Sequence, residues 1–157
     1  MKRYQSDVFI ARPPEIVFDF FADMTHVSRW APEDFVSVER EDTGPIRAGS
    51  RFRFVTKGAN AVSAFTWNVF NRPRELRFFG PRLDVGPGWV EGSGGYAFAP
   101  APGGTMATAW YEPKLGGLLA LMSPFARMRN ARLLPRQLDR EYPTLAQGRM
   151  KLCRSRT

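Results

Sequence analysis

The sequence holds one cysteine, Cys153, and one histidine, His26, among 157 residues. A single thiol cannot close an intrachain disulfide or form a CxxC redox pair, and one Cys with one distant His cannot supply a transition-metal site. Neither a metal nor a cofactor is expected. Long hydrophobic runs are also missing: Leu118 to Met122 is the longest later stretch, against the roughly 20 residues that a membrane-spanning helix requires. The opening segment has only a four-residue apolar run before Arg12, too short for a signal-peptide core, so a reducing cytoplasm is the expected location.

Acidic residues are scarce in one region only. Residues 1–113 carry thirteen basic and thirteen acidic side chains, whereas residues 114–157 carry ten and two, so the net charge of +8 comes from the last quarter. Such a segment suits an anionic partner, whether lipid headgroups, nucleic acid or an acidic protein. Aromatics, by contrast, are plentiful. Thirteen Phe, four Trp and four Tyr exceed the obvious needs of one core, which suggests that some rings line a cavity.

Hydrophobic periodicity gives a short list of elements. Tyr4 to Ala11 alternates as a strand, with Tyr4, Ser6, Val8 and Ile10 on one face. Pro14 and Glu15 open a helix to Ala22, with Ile16, Val17, Phe20 and Phe21 as its apolar side, and 23–30 reads as a second short helix. Strands follow at 35–40, 50–57, 62–70, 75–79, 89–99 and 105–112, punctuated by Pro and Gly turns. Gly92, Gly94 and Gly95 within a strand suggest a bulge or sharp bend. Met106, Thr108 and Trp110 share one face of the last strand. Ser123-Pro124 then caps a long amphipathic helix from about Phe125, with Met128, Ala131, Leu134, Leu138, Tyr142 and Leu145 as its apolar stripe and a kink at Pro135.

That order is an α+β one: a curved antiparallel sheet of six to seven strands wrapped around a C-terminal helix, as a single domain over residues 1–148 with a basic tail at 149–157. It resembles the helix-grip architecture of the START-related (SRPBCC) superfamily, and locally its polyketide cyclase/dehydrase-like group. The resemblance rests on Ala11-x-Pro13-x-Glu15-x-Val17-Phe18-Asp19-Phe20, Asp23, Trp30, Gly44-Pro45, Gly49-Ser50-Arg51-Phe52, Phe98-x-Pro100, Gly103-Gly104-Thr105, Thr108 and Gly117-Leu118-Leu119. It implies a cavity between sheet and helix for a lipid, a polyketide or another apolar molecule, in a group where some members are enzymes and others carriers. No catalytic residue is shared across that group.

The candidate pocket comprises Phe65, Trp67, Phe78, Trp89, Tyr96, Phe98 and Trp110 on the sheet and Met122, Phe125, Arg127 and Met128 on the helix, with Tyr96 or Arg127 orienting a ligand. For each ring alone, core packing is the simpler role. His26 reads as a surface or capping residue, and no Ser-His-Asp set is assignable. Binding or transport of a small hydrophobic molecule is therefore the first expectation. A cyclase or dehydratase, needing an acid or base within the cavity, is the alternative; a basic interaction module is a third. The stripe of Arg129, Arg132, Arg136 and Arg140 is either a solvated face or a contact for an anionic membrane; specific nucleic-acid binding is not expected.

Overall fold

The computed structural model describes residues 3–27, 35–56 and 62–121. Its elements are β1 (Tyr4–Ile10), α1 (Pro14–Ala22), a 3-10 turn (Met24–His26), β2 (Phe35–Arg40), β3 (Arg51–Thr56), β4 (Val62–Asn71), β5 (Glu75–Val85), β6 (Gly88–Ala101), β7 (Gly104–Gly117) and α2 (Leu118–Leu121). All seven strands join one antiparallel sheet in the order β1-β7-β6-β5-β4-β3-β2. Strands β2 to β7 form a meander, and β1 closes it by pairing with β7. The chain must therefore pass from one edge of the sheet to the other between β1 and β2. Helix α1 lies in that crossing and packs on β5, β6 and β7.

Pro13 and Pro14 start α1 where a missing N–H costs nothing, and no side chain caps this end. Its buried face is Val17, Phe18, Phe21 and Ala22. Ile16 is exposed instead, because the helix presents the Val17/Phe21 and Phe18/Ala22 pairs to the sheet. Phe18 meets Phe70 and Phe98 edge-on at 4.9 and 5.7 Å. Trp67, fully buried, donates its indole N–H to the Ala22 carbonyl at 3.0 Å, so β4 satisfies an acceptor left open where the helix ends. Asp23 then accepts from the Thr25 amide and opens the 3-10 turn. Of the second helix expected at 23–30, this turn is the described part; residues 28–34 lie outside the described residues, as does the segment from 122 onward where a long terminal helix is expected.

Strands β5, β6 and β7 run further than their sequence pattern suggested. Strand β5 continues past Phe79 to Val85 because its register shifts between Gly80 and Leu83. Pro81, which has no N–H for the ladder, falls within that shift. Strands β6 and β7 pair without a break from Gly88↔Gly117 to Ala101↔Gly104. On the β5 side an irregularity does fall opposite the first of the three glycines, where Gly80↔Gly92 gives way to Leu83↔Val90, while Gly94 and Gly95 pair in regular register; these glycines also serve another purpose, described below. The hairpin between β6 and β7 turns on Pro102 and Gly103, the latter at φ +79°, the backbone that a type II turn requires at its second central residue.

The loop from β2 to β3 is organised by Asp42. Its carboxylate accepts from Arg40 at 2.6 Å, from the Ser50 hydroxyl at 2.9 Å and from the Arg51 amide at 3.1 Å. These partners, led by Arg40, hold its pKa well below the ordinary carboxylate range. A depressed folded-state pKa contributes stability above that range, which is lost as the pH falls through it. Asp42→Asn should accordingly lower the melting temperature at pH 7, and its deficit relative to the parent should shrink steadily below about pH 4. Thermal scans of both proteins from pH 7 to pH 2.5 check this.

Trp67→Phe removes both ring volume and the bond to Ala22. It should destabilise the protein by about 2–3 kcal/mol in urea unfolding, with most of the loss retained at any pH.

Candidate functional site

Alternation along the strands, reset at the register shifts in β2, β4 and β5, divides the side chains between the face under α1 and the opposite one. The inner face takes Tyr4, Val8 and Ile10 from β1, Phe52 and Phe54 from β3, Phe65 and Trp67 from β4, and Leu76 and Phe78 from β5. It also takes Tyr96 and Phe98 from β6, and Thr105, Ala107, Ala109 and Tyr111 from β7. The small residues of β7 lie where α1 approaches the sheet. Ion pairs such as Arg53–Glu39, Arg77–Glu75 and Lys114–Glu91, and the Thr108–Asp7 hydrogen bond, occupy the outer face.

Five of the seven predicted sheet rings meet on the inner face: Phe65, Trp67, Phe78, Tyr96 and Phe98. Phe65, Trp67 and Phe98 are buried core, while Phe78 and Tyr96 are half-buried. Phe65 is the hub, with ring centroids 5.4 Å from Phe52, 5.2 Å from Trp67 and 5.3 Å from Phe78. Tyr96 links this group to α1, 4.7 Å from Phe21 and 6.5 Å from Trp67. The row ends at Tyr111, stacked on Phe78 at 6.5 Å and 23°.

Trp89 and Trp110 are corrections. Both project from the outer face, Trp89 across Gly116 with the Arg82 guanidinium 4.9 Å from its ring, and Trp110 beside Gly95 with Arg3 at 4.5 Å. The guanidinium shields each ring there by a cation–π contact. The Met106, Thr108 and Trp110 face is therefore the outer face of β7, and Tyr111, which the sequence reading missed, belongs to the inner one. Its signal was available: Thr105, Ala107 and Ala109 share its parity. Met122, Phe125, Arg127 and Met128 lie outside the described residues, as do Arg129, Arg132, Arg136 and Arg140.

The glycines of β6 explain how such large rings share one face. A Cβ on Gly94 would lie 2.6 Å from the Phe78 ring and 2.8 Å from the Trp110 carbonyl, and one on Gly92 would lie 2.7 Å from the Tyr111 ring. Without those Cβ atoms, Phe78 from β5 and Tyr111 from β7 lean towards each other over β6. The result is an aromatic floor running from β3 to β7, about 19 Å across four strand spacings.

His26 is at the end of the 3-10 turn, 3.6 Å from Asp23 and stacked on Phe20. Among the described residues, no cluster of three or more His, Cys, Asp or Glu could hold a metal ion, and no helix is long and apolar enough to cross a membrane.

The meander, the closing first strand and α1 on its inner face are consistent with the helix-grip fold. The family model for "Polyketide cyclase / dehydrase and lipid transport" matches residues 1–141, and the chain belongs to that family. The comparison with curated proteins gave no match. Among solved structures, it is similar to the di-domain ARO/CYC BexL from the BE-7585A biosynthetic pathway, at 18% identity and a TM-score of 0.69 over 95% of this chain and 51% of BexL. The chain thus spans about half of that protein. It is also similar to TTHA0849 from Thermus thermophilus, at 18% identity and TM-score 0.70 over 92% and 97% of the two chains. A third similar structure is the Aha1 dimer from Colwellia psychrerythraea, at 12% identity and TM-score 0.66 over 96% and 100%. At these identities the likeness is one of fold.

Gly94→Ala tests the seating of the floor. The added methyl should displace Phe78, destabilise the protein by about 1–3 kcal/mol and alter the near-ultraviolet circular dichroism, while far-ultraviolet spectra stay unchanged.

Proposed function

We propose that this protein binds a small hydrophobic molecule, lipid or polyketide-like, on the inner face of the sheet. The carrying observation is the row of Phe54, Phe65, Phe78 and Tyr111, with Tyr96 beside it. Phe54, Phe78, Tyr96 and Tyr111 are only half-buried although they share a face with the core. A core ring that serves packing alone is normally sealed; rings exposed in a contiguous group on the inner side of a fold are suited to an apolar guest. Membership of a family described by both cyclase/dehydrase and lipid-transport members agrees with an apolar guest of either kind.

Binding is favoured over catalysis by the chemistry of the face. The described inner positions of β3 to β7 offer aromatic, aliphatic and hydroxyl groups, which hold and orient a molecule more readily than they shuttle its protons. Arg127 is the further group proposed to orient the guest from the C-terminal segment.

The test combines extraction and titration. Organic denaturation of the purified protein, followed by mass spectrometry, should release a near-stoichiometric hydrophobic molecule. The delipidated protein should then bind 1-anilinonaphthalene-8-sulfonate saturably, and Phe78→Ala should weaken that binding about tenfold, in line with the apolar area one Phe side chain contributes. An empty protein that also fails to bind the probe saturably would overturn the proposal.

A further inference from the structure

Building on that ligand-binding reading, we propose that the Tyr111 hydroxyl is the fixed hydrogen-bond donor of the inner face and selects guests that carry a carbonyl oxygen at one end of an otherwise apolar, planar body.

Position is the first argument. Tyr111 lies on β7 opposite Gly94 of β6, and its ring passes over Gly92 rather than rising from the sheet. With Phe78 stacked on one side and no Cβ beneath it, the ring has one settled place. Its hydroxyl reaches over β6 beside Gly92, next to Phe78, so a flat molecule lying along Phe65 and Phe78 would meet a polar group there.

Hydrogen bonding is the second. Among the described residues, none hydrogen-bonds the Tyr111 hydroxyl, and the residue is half-buried, within reach of a guest. Its neighbour across the β1–β7 ladder, Tyr4, makes a useful contrast. The Tyr4 hydroxyl is also without a partner among the described residues, but it is wholly buried and closed to a ligand. Of this pair, only Tyr111 can exchange water for a guest atom.

Protonation fixes the direction of the bond. Burial pushes the Tyr111 pKa up from its ordinary value of 10.0, so the group is a phenol throughout the physiological range. A phenol is a strong donor and a weak acceptor, and in apolar surroundings its hydrogen bond strengthens. The complementary ligand atom is an acceptor oxygen, and a carbonyl on a planar ring system satisfies both the donor and the floor.

The probes are fluorene and 9-fluorenone, tricyclic molecules of nearly the same shape that differ by one carbonyl. Their affinities would be measured by titration for the parent, Tyr111→Phe and Tyr4→Phe proteins. Tyr111→Phe should weaken fluorenone about fivefold, the effect of one neutral hydrogen bond, and leave fluorene within twofold of the parent. Tyr4→Phe should leave both affinities unchanged. Equal effects of Tyr111→Phe on the two probes, or a fluorenone-specific loss in Tyr4→Phe instead, would overturn the assignment while leaving the apolar site standing. Failure of the parent to bind either probe would overturn the binding reading and this inference together.

Discussion

The hydrogen bond from Trp67 to the Ala22 carbonyl holds the two layers of this protein in register. A helix end buried against a sheet leaves carbonyls that water cannot reach, and an unsatisfied one costs about 1–3 kcal/mol. Trp67 supplies the missing donor from the middle of β4 while its ring fills the space between Phe65 and Tyr96. The Trp67 backbone also bonds to Gly49 and Ser50, which anchors the start of β3. One residue therefore positions α1, fixes the strand next to the Asp42 loop and sets the depth of the aromatic face.

The two faces of the sheet use aromatic residues differently. On the inner side, rings touch rings and glycines give them room. On the outer side, Trp89 and Trp110 lie flat beneath arginines, a covering that lets a large apolar surface face water without inviting aggregation. Glycine is the common device: Gly92 and Gly94 serve the inner rings, and Gly95 and Gly116 the outer ones. A single strand pair thus seats bulky residues on both of its faces.

Much of the architecture was legible in the amino-acid order. Alternation grouped Tyr4, Val8 and Ile10 on one face of β1, Pro13-Pro14 marked the start of α1, and the turn residues separated the strands of the meander. What periodicity cannot supply is the sense of each face. In β7 two alternating sets compete, Met106-Thr108-Trp110 and Thr105-Ala107-Ala109-Tyr111, and aromatic weight favoured the wrong one. The small residues were inward because α1 already occupies that space. The glycines of β6 carry a second meaning that the sequence pattern does not express: neighbouring rings require the space they leave, and the register shift that lets β5 run on past Phe79 depends on pairing that one strand alone does not encode. Trp67 was recognised as a ring but not as a donor, since its acceptor is 45 residues away.

The closing of the sheet by β1 and β7 has a consequence for synthesis. Thr108 and Asp7, bonded across that ladder, are 101 residues apart. During translation β1 and α1 emerge first, yet the strand that pairs with β1 and the β5–β7 surface that receives α1 are made much later. Contacts of such wide sequence separation slow folding, and an early strand without its partner exposes an unpaired edge to other chains. The partners of the N-terminal segment are thus not in place until β7 has been made.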